Sequence, residues 1–248
     1  HRAFLAGDQA AALGLSVQRL TQTARVMQRA ADALDAATDR LARELISAEP
    51  LGYLRVGLAP LFEEPEELRL RLVRLLINSF RPGAFPVEEE QLLRLWQWLV
   101  GKGGDAPRYT IRGLLLEKAG TKAQPILYVM REPRAITQPV PLADAPCLWD
   151  GRFQLTAEDQ GNDLWCVPVA MLGVNKVRDA LTGDLAASFA AAPPMARGTI
   201  PALAELREGN EPKMVRLPVE MGRFTPHLRA KTPLILPKSQ KFDGESVI

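Results

Sequence analysis

Arg108-Tyr109-Thr110-Ile111-Arg112-Gly113-Leu114-Leu115-Leu116-Glu117, then a turn at Gly120-Thr121-Lys122, then Pro125-Ile126-Leu127-Tyr128-Val129-Met130-Arg131-Glu132-Pro133-Arg134, is the stretch that decides the fold. Its β-branched and aromatic residues, bounded by turn formers, predict a β-hairpin with strands over 108–117 and 125–134. Proline is distributed unevenly around it: residues 1–100 hold 5 and residues 101–248 hold 15. Proline interrupts helices and central strands alike, so the split predicts an α+β protein. A helical module ends in the hairpin, and a smaller mixed α/β C-terminal domain follows. Pro139, Pro141 and Pro146 place the boundary, giving domains over 1–136 and 147–248 joined by a proline-rich linker over 137–146.

Upstream of the hairpin, Val17, Leu20, Ala24, Met27, Ala31, Leu34, Thr38, Leu41 and Leu45 follow a three-four spacing that puts them on one seam of a helix capped by Ser16. Arg25, Arg29, Arg40 and Arg43 fall off that seam and read as solvated charges. Residues 51–58 suit a short strand. Glu63, Glu64, Glu66 and Glu67, with Pro65, precede an apolar repeat, and Glu88, Glu89 and Glu90 precede Leu92, Leu93, Leu95, Trp96, Leu99 and Val100. Acids at helix starts complement the helix dipole, so these glutamates read as capping groups, not a catalytic pair. Gly101-Lys102-Gly103-Gly104 follows a helix and precedes a strand, which is the reverse of a phosphate loop, so it reads as a helix stop and turn.

Downstream, Leu148-Trp149-Asp150-Gly151-Arg152-Phe153 opens the second unit, with Asp150 and Arg152 placed to form a local ion pair. An apolar run covers 164–172, a helix is expected over 175–182, a short helical stretch lies between Pro193-Pro194 and Pro201, and 213–219 reads as a strand. Between Arg223 and Lys241 the chain carries Arg223, Arg229, Lys231, Lys238 and Lys241 with no acid, and Phe224 and His227 are interleaved. Basic side chains with aromatic neighbours suit phosphate contact and base stacking. On or beside the hairpin, Arg112, Lys118, Arg131 and Arg134 are further candidates, and strand alternation turns Arg112 outward from Ile111.

The totals narrow the chemistry. Lys and Arg number 31 against 29 Asp and Glu, a formal charge of +2, so binding through bulk charge is excluded and any polyanion contact must come from local patches. Two histidines, His1 and His227, leave no basis for a zinc cluster or a His-dependent triad. Cys147 and Cys166 read as buried apolar thiols. Arg2, Asp8 and Arg19 interrupt the apolar opening, which predicts neither signal peptide nor membrane span and a cytoplasmic setting.

One ordered set of motifs resembles a known family. It comprises Gly14, Leu15, Arg19, Leu20, Thr23 and Ala24 on the first helix, Leu95-Trp96, the Thr110 to Gly113 strand, Arg131-Glu132-Pro133-Arg134, and Leu148-Trp149-Asp150-Gly151-Arg152-Phe153. The order resembles the C-terminal region of tRNA(Ile)-lysidine synthetase of the alphaproteobacterial type. In that family an N-terminal ATP-pyrophosphatase domain, with a Ser-Gly-Gly-x-Asp-Ser loop, adenylates the wobble cytidine, and lysine then displaces AMP. No such loop occurs in this sequence, and Arg112-Gly113-Leu114 stands where many relatives have Gly-Gly and a cysteine. The resemblance implies a tRNA-binding and positioning region, inactive alone, with no cofactor of its own because ATP belongs to the N-terminal domain. Its implied partners are tRNA, that domain and a second copy in a homodimer, with no membrane. The candidate tRNA contacts are Arg112, Lys118, Arg131, Arg134, Arg223, His227, Arg229 and Lys231. The alternative reading is a protein-interaction module that docks a partner through its amphipathic first helix. An independent small-molecule enzyme is disfavoured, since no nucleophile-base set emerges.

Overall fold

The computed structural model describes residues 16–80, 87–136, 139–142, 147–155, 164–205 and 213–217. The first helix, α1 (Val17–Leu45), starts where the Ser16 hydroxyl accepts from the Arg19 amide at 3.2 Å, as the capping signal predicted. Strands β1 (Ile46–Glu49) and β2 (Tyr53–Gly57) follow as a tight hairpin. Helices α2 (Leu58–Glu63), α3 (Glu66–Asn78) and α4 (Glu89–Leu99) then lead to β3 (Arg108–Ile111), β4 (Leu114–Gly120) and β5 (Pro125–Arg131). Acids occupy the first turns of α3 and α4, Glu66 and Glu67 on one and Glu89 and Glu90 on the other, and beyond α4 the Gly101 and Gly103 amides close onto the carbonyls of Trp98 and Gln97.

Five strands form one antiparallel sheet in the order β1-β2-β5-β4-β3. The expected hairpin is present, with Lys118 opposite Leu127, but residues 108–117 are not one strand. The chain reverses between Ile111 and Leu114, which pair directly, through a two-residue turn in which Arg112 and Gly113 have φ of 51° and 73°. Positive φ at both central residues matches the right-handed twist of the flanking strands. The expected outward strand position of Arg112 is therefore corrected to a turn position.

The sheet is covered on both faces, which explains why Leu114-Leu115-Leu116 lacks polar alternation. Leu54, Val56, Leu114, Leu116, Leu127 and Val129 pack with Leu41, Leu72, Leu76, Leu92 and Leu95 of the helical layer. Tyr53, Leu115 and Met130 turn the other way and pack with residues of the second unit, Val167, Val169, Phe189 and Ala202 among them. Hydrophobic burial thus continues from one unit into the other through the sheet.

In the second unit, β6 (Val140–Pro141), β9 (Leu164–Pro168), β10 (Pro201–Glu205) and β11 (Lys213–Arg216) form a sheet in the order β11-β10-β9-β6. Between β9 and β10 run α5 (Val169–Leu172), α6 (Val174–Ala180), α7 (Gly183–Ala191) and α8 (Pro194–Arg197). A two-stranded ribbon of β7 (Cys147–Trp149) and β8 (Phe153–Leu155) packs Trp149, Phe153 and Leu155 against Cys166 and Leu203 on the far face of that sheet. Cys166 is fully buried, as expected.

Gly52, in the β1–β2 turn, has φ of 78°, and a Cβ there would lie 2.4 Å from Cζ of Phe153. Both the backbone and the contact require glycine. Gly52→Ala should lower the unfolding free energy by about 2–5 kcal/mol, combining left-handed strain with overpacking, in urea unfolding followed by circular dichroism. A loss below about 1 kcal/mol would show that the ribbon does not press on this turn.

Candidate nucleic-acid interface

At one end of the five-stranded sheet a charged knot joins the turns. Asp150 sits in the β7–β8 connection with φ of 50°, a backbone state that aspartate tolerates better than most residues. Its carboxylate accepts from Nε of Arg131 at 3.0 Å and from Nε of Arg152 at 2.8 Å. Side-chain exposure is 1% for Arg131, 0% for Arg152 and 3% for Asp150. The expected Asp150–Arg152 pair is present, and Arg131 joins it from β5.

Each guanidinium also donates to two backbone carbonyls. Arg131 donates from Nη1 to Gly113 O at 2.8 Å and from Nη2 to Ala135 O at 2.7 Å. Arg152 donates from Nη1 to Gly52 O at 3.0 Å and from Nη2 to Thr199 O at 2.6 Å. The knot therefore fastens the β3–β4 turn, the 3-10 turn at Pro133–Ala135, the β1–β2 turn and the segment before β10. Burial lowers the Arg152 guanidinium to about 10, with Asp150 opposing that shift and Arg131 adding to it. One carboxylate shared by two buried cations leaves a net positive charge, which the four carbonyls solvate.

Arg131 was expected to contact RNA, and its burial corrects that expectation: every donor faces the protein. Its consequence for the interface is positional. Residues 112–113 and 133–135 are drawn side by side, since a Cβ on Gly113 would lie 3.0 Å from both Ala135 Cβ and Arg131 Nη1. Arg134 is exposed and Arg112 half-buried on these two turns. Lys118 lies apart, toward the other end of β4. Its ammonium sits 4.4 Å from the centre of the Trp98 ring and donates to the Trp98 carbonyl at the end of α4. Burial lowers its pKa, partly offset by Asp105. Arg223, His227, Arg229 and Lys231 lie outside the described residues.

The helical seam is also divided. Thr38, Leu41, Ala42 and Leu45 are buried, whereas Val17, Leu20 and Met27 are 63%, 38% and 65% exposed. Among the described residues no three His, Cys, Asp or Glu side chains form a metal-binding group, and no helix is long and apolar enough to cross a membrane. The sequence carried one signal for the buried knot, the Asp-Gly pair flanked by Trp149 and Arg152. Nothing local marked Arg131 as its third member.

Asp150→Asn leaves two buried guanidinia without a counter-charge and should lower the unfolding free energy by about 3–5 kcal/mol. Arg134→Gln, on an exposed side chain, should change it by less than about 0.5 kcal/mol. Equal losses in thermal or denaturant unfolding would contradict this division of roles.

Over 141 residues the chain is 28% identical to the tRNA(Ile)-lysidine synthase of Wolbachia pipientis wMel, covering 56% of this chain and 32% of that protein. Over 158 residues it is 27% identical to the tRNA(Ile)-lysidine synthase of the Wolbachia of Brugia malayi, covering 62% and 35%. No family model matches the chain, and no solved structure matches it. The matches span about a third of the length of these relatives, and the motifs between Gly14 and Phe153 point the same way: the chain is similar to part of tRNA(Ile)-lysidine synthase, consistent with a C-terminal region.

Proposed function

We propose that this chain is the tRNA-binding and positioning part of an ATP-dependent tRNA(Ile)-lysidine synthetase, which joins lysine to the wobble cytidine. The similarity to the two Wolbachia enzymes carries the reading. In it, ATP binding and adenylation belong to an N-terminal ATP-pyrophosphatase domain, and this chain holds the RNA so that the cytidine reaches that domain.

The geometry supports a rigid grip rather than chemistry. A folded RNA is recognised through its shape, its phosphates and its 2′-hydroxyls, which calls for cations held at fixed separations. The turns carrying Arg112 and Arg134 are held at fixed separation by the buried Arg131 guanidinium. Arginine suits this position because its planar fork takes two phosphate oxygens at once. Lys118, committed to the end of α4, has the smaller part.

Binding of unmodified CAU-anticodon tRNA should weaken steeply with salt, and replacing Arg112 and Arg134 with glutamine should flatten the slope of log K against log salt by about 1 to 2. Filter binding from 50 to 200 mM salt measures this. Affinity that does not depend on salt, or no affinity for tRNA, would overturn the proposal.

A further inference from the structure

We infer that the exposed half of α1 pairs antiparallel with the same segment of a second copy of this chain, as a short two-helix coiled coil whose two-fold axis lies between Ala24 and Met27. The pairing goes beyond the tRNA-binding reading above and does not depend on it.

The apolar seam of α1 finds partners within the chain only along its second half. Thr38, Leu41 and Leu45 are buried, and Arg71 of α3 pairs with Asp35 at 2.5 Å. Toward the start of the helix Leu34 and Ala31 are half-buried, and every residue from Val17 to Ala30 is exposed. The seam nevertheless continues through Val17, Leu20, Ala24, Met27, Ala31 and Leu34 at alternating steps of three and four. A strict seven-residue repeat with its first and fourth positions on the seam is narrower than the stripe of a helix lying on a globular core, and it suits pairing with another helix.

Side-chain size selects an identical, antiparallel helix. With the axis midway between Ala24 and Met27, Ala24 stands opposite Met27 of the second copy, Leu20 opposite Ala31 and Val17 opposite Leu34. Each alanine then receives a large side chain, and the layers interdigitate. Parallel pairing would set Ala24 against Ala24 and Met27 against Met27, alternating gaps with crowding.

Charge agrees with this choice. The positions flanking the seam carry Thr21, Thr23, Gln28 and Ala30, while Arg19, Arg25 and Arg29 fall on the outer side of the repeat. Two identical helices therefore meet without like charges facing each other. The antiparallel register also sets the Thr21 hydroxyl beside the Gln28 amide of the second copy, a donor-acceptor match. A partner chosen by charge would call for charged flanking positions, which this segment lacks. From Val17 to Leu34 the seam is about 26 Å long. An interface of that length stays below about 1,200 Å², the weak end of specific contacts, so the expected dissociation constant is about 1–50 µM.

Sedimentation equilibrium of the full chain from about 1 to 200 µM tests this, with Ala24→Glu and Met27→Glu on the seam and Gln22→Glu on the outer side as a control for charge. All three sites are exposed, and circular dichroism checks the fold. Wild type should dimerise, each seam variant should weaken the dimer on the order of a hundredfold, and Gln22→Glu should match wild type. Mild oxidation reads the direction, with wild type setting the background from the native cysteines. Ala24→Cys mixed with Met27→Cys should cross-link well above either alone, and Val17→Cys should stay at background, since a disulfide requires close Cα atoms. A wild type that stays monomeric over the whole range, a dimer that the seam variants leave intact, or equal weakening by Gln22→Glu would overturn the inference. Efficient cross-linking of Val17→Cys alone would show parallel pairing and overturn it as well.

Discussion

The shared carboxylate of Asp150 is the constraint on which the rest of the structure depends. Burying two guanidinia is costly, and one carboxylate offsets only part of that cost. The remainder is met by carbonyls of Gly113, Ala135, Gly52 and Thr199, which belong to four separate segments of chain. Charge burial in this form contributes specificity of arrangement more than net stability. Moving any one of the four segments would leave a buried cation without its acceptor.

That constraint works with the double-sided sheet. The helical layer covers one face and the second unit covers part of the other, so β2, β4 and β5 are apolar in both directions around Tyr53, Leu115 and Met130, whereas Arg55 further along β2 is exposed. Apolar packing alone allows sliding between layers, because the hydrophobic effect has no direction. The hydrogen-bonded knot at one end of the sheet fixes the register that packing leaves free. In the proposed RNA-binding role, this arrangement would hold the turns of Arg112 and Arg134 in place before RNA arrives.

Elements with strong local signals were legible in the amino-acid sequence. The Ser16 cap, the seam of α1, the acidic starts of α3 and α4, the glycine stop after α4, the turn at residues 120–122 and the Asp150–Arg152 pair all follow from spacing and residue chemistry. The Arg112-Gly113 reversal was not, because arginine rarely takes positive φ. Tertiary hydrogen bonds to the Gly113 carbonyl, from the Arg131 guanidinium and the Glu132 amide, favour that turn. Strand β1 was missed because it continues directly from α1 without a breaker. Arg131 was read as a surface cation because alternation gives the face of a strand and not what covers it. For the same reason α1 read as core-facing throughout, although its first half is exposed among the described residues.

Hydrogen exchange at single amides in the unmodified protein tests the knot most directly. The Glu132 amide, which donates to Gly113 O at 2.9 Å, and the Arg152 amide, which donates to Trp149 O at 3.0 Å, bracket it. If the knot locks the two units, both amides should exchange as slowly as those at the centre of β2 and β5, opening only with global unfolding. Exchange at these two positions faster by orders of magnitude than in the central strands would show that the junction opens by itself, and would contradict a fixed arrangement of the two units.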